Sequence, residues 1–154
     1  MTQQLALIDV KVARFIPGAP DEVFDVWFDP DSPGGPWHGA KKVLMNVVLD
    51  GMFYFGIDRA EARSKNPAIG QAGALVGHFG RFTAIDRPHG AEHTWMSEHT
   101  RGVETAVSVT FEAREAGTQL TILHRGIPDD DLGRGHERGW TLLLSRLAEY
   151  FETT

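Results

Sequence analysis

The residue in this chain best suited to chemistry near neutral pH is histidine. There are seven, against no cysteine, and an unperturbed imidazole titrates near pH ~6.5. His89 and His93, in HGAEH, stand four apart, and His99 follows. Two imidazoles at that spacing hold zinc when both project from one helix. Pro88 and Gly90 read as a turn instead, so neither a metal nor another cofactor is expected. His78 and His124 are stronger candidates. Strand parity puts His124 on one face with Leu120 and Ile122. A buried neutral imidazole there could orient a polar ligand group or act as acid or base. The ordinary alternative is a core histidine bonded to a backbone carbonyl or a helix side chain.

Other catalytic signatures are missing from the sequence. It has no GxSxG elbow, no P-loop and no HExxH. GRGHERG at 133–139 imitates a dinucleotide loop, but Arg138 stands where the third glycine belongs. Asp129, Asp130 and Asp131 precede it and would repel a pyrophosphate. They suit a helix start, as do Asp21 and Glu22. A binding protein is therefore expected over an enzyme. The lack of cysteine excludes thiol chemistry and disulfides and fits a reducing, cytoplasmic setting. A net charge of −6 gives no support for a nucleic-acid or anionic-membrane partner. No apolar run approaches the ~20 residues of a membrane span. MTQQLALIDV lacks the basic and apolar regions of a signal peptide. The 154 residues are expected to form one domain, 1–154.

The elements that position these groups follow from periodicity. Trp140, Leu143, Leu144, Leu147 and Phe151 recur at three- and four-residue steps and predict a long amphipathic helix within 127–151. Leu142, Ala148 and Tyr150 widen its face. Leu7–Ile16 alternates as a first strand. A short helix follows over DEVFDVWF, opened by Pro20 and closed at Asp29-Pro30. Strands at 42–49 and 52–57 flank Asp50-Gly51, a hairpin signal. Phe53, Phe55 and Ile57 share one face, and Met52 and Tyr54 share the other. The stretch 58–73 reads as a long polar loop. Strands follow at 75–85, 92–98, 103–111 and around 120–124. Hairpin-linked strands closed by a helix argue an antiparallel α+β fold. Ten large aromatics, among them Phe24, Trp27, Trp37, Phe82, Trp95 and Trp140, exceed what a core plug requires.

Several ordered stretches make the chain similar to a known superfamily. They are APDEVFDVWFDP at 19–30, PWHG at 36–39, DGMFYF at 50–55 and GHFGRFTAIDRP at 77–88. HTW at 93–95, VETAVSVTFE at 103–112, GTQLTILHRGIP at 117–128 and HERGWTLLLSRLAEYF at 136–151 complete the set. Together they resemble the START-like (SRPBCC) superfamily. Within it they resemble the activator of heat-shock-protein ATPase homologue family, in its short bacterial single-domain form. The resemblance implies a helix-grip fold: a curved antiparallel sheet of six to seven strands wrapped around the C-terminal helix, with a cavity between them. Phe53, Phe55, Trp95, Val107, Val109 and Trp140 would then converge on the cavity, with Phe24, Trp27, Trp37, Phe82 and Leu144 around it. His78, Ser97 and His124 would give polar direction to a small apolar or aromatic ligand. Two further readings remain. One is a cyclase- or hydrolase-type enzyme using a cavity histidine. The other is a co-chaperone-like module or homodimer that uses the sheet's outer face at Met52 and Tyr54.

Overall fold

The computed structural model describes residues 6–153. In chain order the elements are β1 (Leu7–Ile16), α1 (Pro20–Trp27), β2 (Lys42–Met45), β3 (Met52–Asp58) and α2 (Arg59–Lys65). Next come β4 (Leu75–Asp86), β5 (Gly90–Trp95), a 3-10 turn (Glu98–Thr100), β6 (Thr105–Arg114), β7 (Gly117–Pro128) and α3 (Asp131–Glu152). The seven strands form one antiparallel sheet in the order β1-β7-β6-β5-β4-β3-β2. Only β1 leaves sequence order, crossing to pair with β7. The result is the helix-grip α+β fold, with α3 lying in the grip of the sheet.

Helix α3 forms where its apolar period lies. Asp130 caps it, accepting from the Gly133 N–H at 2.7 Å. Its 22 residues span about 33 Å at 1.5 Å per residue. Its buried face is Gly133, His136, Trp140, Leu143, Leu144, Leu147 and Ala148. Gly133 is required by close packing, because a Cβ there would lie 1.8 Å from the Pro128 carbonyl oxygen. Leu142, expected to widen that face, is 49% exposed.

Helix α1 opens on Pro20 and buries Val23, Phe24 and Trp27. Its last turn is completed from outside: the Trp37 indole N–H donates to the Trp27 carbonyl at 2.6 Å. That bond fastens the irregular 28–41 segment to the core. Strand 42–49 is shorter than expected and stops at Met45. Beyond it the chain must close on Gly51, where a Cβ would lie 1.9 Å from the Asn46 carbonyl oxygen.

The polar stretch 58–73 is not simply a loop, since α2 occupies its first half. Arg59, Ala60, Glu61, Ala62 and Lys65 are good helix formers. Asp58 supplies the cap, accepting from the Glu61 N–H at 3.0 Å. Arg59, the one buried residue of α2, ties the rest of the stretch down. It donates to the carbonyls of Gly70, Gly73 and Leu75 at 2.7, 2.9 and 3.1 Å, and to the Glu98 carboxylate at 2.6 Å. Charge-assisted hydrogen bonds contribute roughly 1.5–3 kcal/mol apiece. The Arg59→Leu variant should therefore keep the sheet folded and release residues 59–74. Limited trypsin digestion should then cut first at Lys65, at least tenfold faster than in the parent. Equal cleavage rates would show that Arg59 does not hold the segment.

Candidate functional site

Between α2, α3 and the sheet lies a cavity of about 350 Å³. Helix α3 presents Leu132, Gly135, His136, Gly139, Trp140 and Leu143 to it. Phe55 and Ile57 of β3, His78 of β4 and Trp95 of β5 form the sheet side, while Ala62 and Ile69 close it from the Arg59-held segment. Trp37 and His99 complete the inner wall. The rim is exposed and charged, with Glu61 and Lys65 on α2 and Arg138 and Arg146 on α3. A wider, open depression of about 640 Å³ adjoins it, sharing Gly39 and Arg146.

Behind the wall, sheet and helix exchange two hydrogen bonds. The Trp95 indole N–H, from the sheet, donates to His136 Nε2 on the helix at 3.2 Å. The Trp140 indole N–H, from the helix, donates to His124 Nδ1 on the sheet at 3.1 Å. An indole can only donate, so each of these ring nitrogens must be unprotonated. The other nitrogens are consequently the N–H positions. His136 Nδ1 donates to the Gly133 carbonyl at 2.9 Å. His124 Nε2 donates to the Thr105 hydroxyl at 2.6 Å, which passes its own proton to the Trp95 carbonyl at 2.6 Å. Both imidazoles are thus held neutral, each in a single tautomer. Burial acts in the same direction: it lowers the His136 pKa, and lowers that of His124 to about 2.

His78 and His99 differ. Their rings lie 5.1 Å apart, and His78 stacks on Trp95 at 4.7 Å. His78 Nδ1 and His99 Nε2 are, among the described residues, the only buried side-chain polar atoms without a hydrogen-bond partner. A buried polar atom left unpaired costs roughly 1–3 kcal/mol. Both rings belong to the cavity wall. Burial keeps both neutral, His78 far below its ordinary value and His99 at about 4. Among the described residues no group of three or more His, Cys, Asp or Glu is placed to hold a metal ion.

Of the residues expected at the site, Trp37, Phe55, His78, Trp95 and Trp140 line the cavity together. Phe53 sits one layer back, stacked on His93 at 4.5 Å. Trp27, Val107, Val109 and Leu144 are buried in the core rather than on the wall. Phe24 and Phe82 pack around Phe28, at 4.7 and 5.8 Å. His124 is fully buried behind Trp140, with both nitrogens engaged. Ser97 caps the 3-10 turn, its hydroxyl accepting from the His99 N–H at 2.9 Å. His99, His136, Gly135 and Gly139 also line the cavity, although sequence patterning does not place them there. His136 had a signal: it lies four residues before Trp140, on the same helical face.

A curved sheet gripping a long helix over an aromatic cavity defines the START-like class. The family model described as Activator of Hsp90 ATPase homolog 1-like protein matches residues 18–152, and the chain belongs to that family. Solved structures agree on the fold. The AHSA1 protein from Silicibacter pomeroyi is 22% identical, with 95% of this chain and 99% of that one covered at a TM-score of 0.71. A protein from Chromobacterium violaceum is 18% identical, with 94% and 96% covered at 0.72. The Aha1 protein from Colwellia psychrerythraea, whose solution structure is a dimer, is 15% identical, with 94% and 96% covered at 0.67. No curated protein matches the chain. Among the described residues no helix is long and apolar enough to cross a membrane.

Proposed function

We propose that this chain is a binding protein that takes one small apolar or aromatic molecule into the cavity between α2, α3 and the sheet. The observation that carries this reading is a cavity of about 350 Å³ walled by Trp37, Phe55, Trp95 and Trp140, with the His78 and His99 rings among them. A ligand in this space would pack its body on Trp37, Phe55 and Trp95 and lie against the His78 and His99 rings. A volume near 350 Å³ lies at the lower end of the ~300–1,000 Å³ range of small-molecule sites. Gly135 and Gly139 support the same reading. A helix-interior glycine costs about 1 kcal/mol relative to alanine, yet a Cβ at either position would meet nothing within 4 Å. Packing of the free protein does not require them. An occupant lying against the bare helix backbone would. His124 offers little to an acid–base reading, because neither ring nitrogen is open to a substrate. We place the protein in the cytoplasm as a single domain.

The test uses N-phenyl-1-naphthylamine, a neutral apolar dye that brightens in apolar surroundings. Saturable 1:1 binding is expected, and Gly139→Leu, which grows a side chain into the open space, should weaken it at least tenfold. Gly139→Ala should raise stability by about 1 kcal/mol. Unsaturable dye uptake, or a Gly139→Leu variant that binds as the parent does, counts against the cavity as a site.

A second reading concerns the outer sheet face. Leu44, Tyr54, Phe79 and Met96 lie directly opposite one another across adjacent strands. Leu44, Phe79 and Met96 are 47%, 51% and 36% exposed, and Met52 beside them 59%. A contact surface here, for a second copy or a chaperone-type partner, is favoured by this apolar row and by the dimeric state of the Colwellia relative. It extends over the β2–β4 side only. On β5–β7 the outer face turns polar, with Glu92 accepting from Ser108 and pairing with Arg125.

A further inference from the structure

The cavity's charged rim is unevenly satisfied. The chain has eleven arginines and a net charge of −6. With carboxylates in excess, most arginines find one: Arg59, Arg81, Arg87, Arg101, Arg114, Arg125 and Arg134 each form an ion pair. Four do not. Arg14 donates to the Ser145 hydroxyl at 3.2 Å, and Arg63 to the Ile69 carbonyl at 3.1 Å. The remaining two, Arg138 and Arg146, both stand on the cavity rim. Arg146 has one long contact to the His38 carbonyl, at 3.5 Å, and Arg138 has no hydrogen bond or ion pair among the described residues. The carboxylates on the same wall have partners other than these arginines: Asp58 caps α2, and Glu61 faces Lys65 at 3.9 Å.

We propose that the occupant is an amphiphilic anion, an apolar or aromatic body bearing a carboxylate that docks on Arg138 and Arg146. This rests on the cavity being a ligand site, as argued above from its aromatic wall and the helix glycines. Arg138 and Arg146 are eight residues apart on α3, about 12 Å along the axis, with Gly139 between them. A body entering the cavity passes over the bare helix backbone at Gly139, so its charged end is left at the rim beside guanidinium groups. Guanidinium presents a planar fork that matches a carboxylate in two parallel hydrogen bonds. An anion placed there keeps its charge in partly solvated surroundings while its body is buried, which avoids the cost of burying a charge. His78 and His99, neutral at the inner end, then face the far edge of the body.

Calorimetric titration with 2-naphthoate and its uncharged analogue 2-naphthamide tests this at low salt. The acid should bind at least tenfold tighter than the amide. In the Arg138→Gln/Arg146→Gln double variant that preference should vanish, with the amide's affinity within twofold of the parent's. Arg14→Gln removes an equal charge away from the cavity and should preserve the preference. Equal binding of acid and amide overturns the proposal, as does a preference that survives the double variant. 2-Naphthyl phosphate binding tenfold tighter than the acid overturns the carboxylate and assigns a phosphate head instead. Binding of the neutral dye and the amide without the acid leaves the cavity reading standing and removes the anion. Failure of all of them, the neutral dye included, removes both.

Discussion

Between pH 7.5 and pH 5 the protein should lose about 6 kcal/mol of folding stability, read from urea unfolding across that range. The cause is the number of histidines folded in neutral form. Burial drives the His93 pKa from 6.5 down to about 4, partly opposed by its hydrogen bond to the Thr94 carbonyl. Burial likewise lowers His124 to about 2 and His99 to about 4, and it lowers His78 in the same direction. His93 and His124 are 2% and 0% exposed, and His99 is half-buried. In the unfolded chain each takes up a proton near pH ~6.5. The folded pKa is therefore lower than the unfolded one, and the unfolded state binds more protons below 6.5. Stability is full above that pH and falls as pH drops towards the folded values. A group lowered to about 4 or below loses about 2 kcal/mol over this interval, so His93, His99 and His124 together lose about 6.

That loss matches the whole stability of many domains, ~5–15 kcal/mol. His136 acts in the same direction. The lowered carboxylates, such as Asp25 beside Arg87 and Glu98 beside Arg59, lose their contribution only as pH falls through the unfolded carboxyl range near ~4, and add little above pH 5. His93→Phe keeps the aromatic stack on Phe53 and removes one titrating group. Its pH dependence should be shallower by about a third. A parent protein whose stability changes by less than ~1 kcal/mol from pH 7.5 to 5 would contradict this account.

Much of the architecture is legible from periodicity. The apolar steps from Trp140 to Leu147 mark α3, and alternation marks the strands, because each element must bury one face. The parity that pairs Phe53 with Phe55 puts both toward the interior, although only Phe55 reaches the cavity. Other features leave no such trace. Helix α2 has no apolar stripe. It is held by Arg59, whose partners are backbone carbonyls up to sixteen residues away, and nothing in RAEARSK announces a buried guanidinium. His99 lies in a turn without any period. Val107, Val109 and Leu144 have the right polarity for a cavity wall but pack into the core, because parity gives the face of a residue and not the depth at which the space opens. Gly135 and Gly139 look alike in sequence to Gly133. Only the structure shows that Gly133 abuts a carbonyl and the other two face open space.

Replacing Trp140 should have the largest effect of any single substitution at the site. Its ring is 3% exposed and contacts Trp95 at 5.0 Å and Trp27 at 6.3 Å. Trp140→Ala removes that packing and should cost roughly 3–5 kcal/mol. Trp140→Phe separates packing from polarity. It keeps an aromatic ring but takes the donor away from His124 Nδ1, in a fully buried imidazole. The cost expected is about 1–3 kcal/mol, that of an orphaned buried acceptor. The double variant Trp140→Phe/His124→Leu removes both partners and leaves the Thr105 hydroxyl its bond to the Trp95 carbonyl. It should be less destabilised than the sum of the two single variants, with a coupling of about 1–2 kcal/mol. Strict additivity would mean that the bond contributes nothing. Coupling would mean that α3 is registered on the sheet by this exchange and by the Trp95–His136 bond one helical turn earlier. The helix could then carry two solvent-facing glycines without fraying, because its N-terminal half is fixed from the core side while its backbone stays open to an occupant.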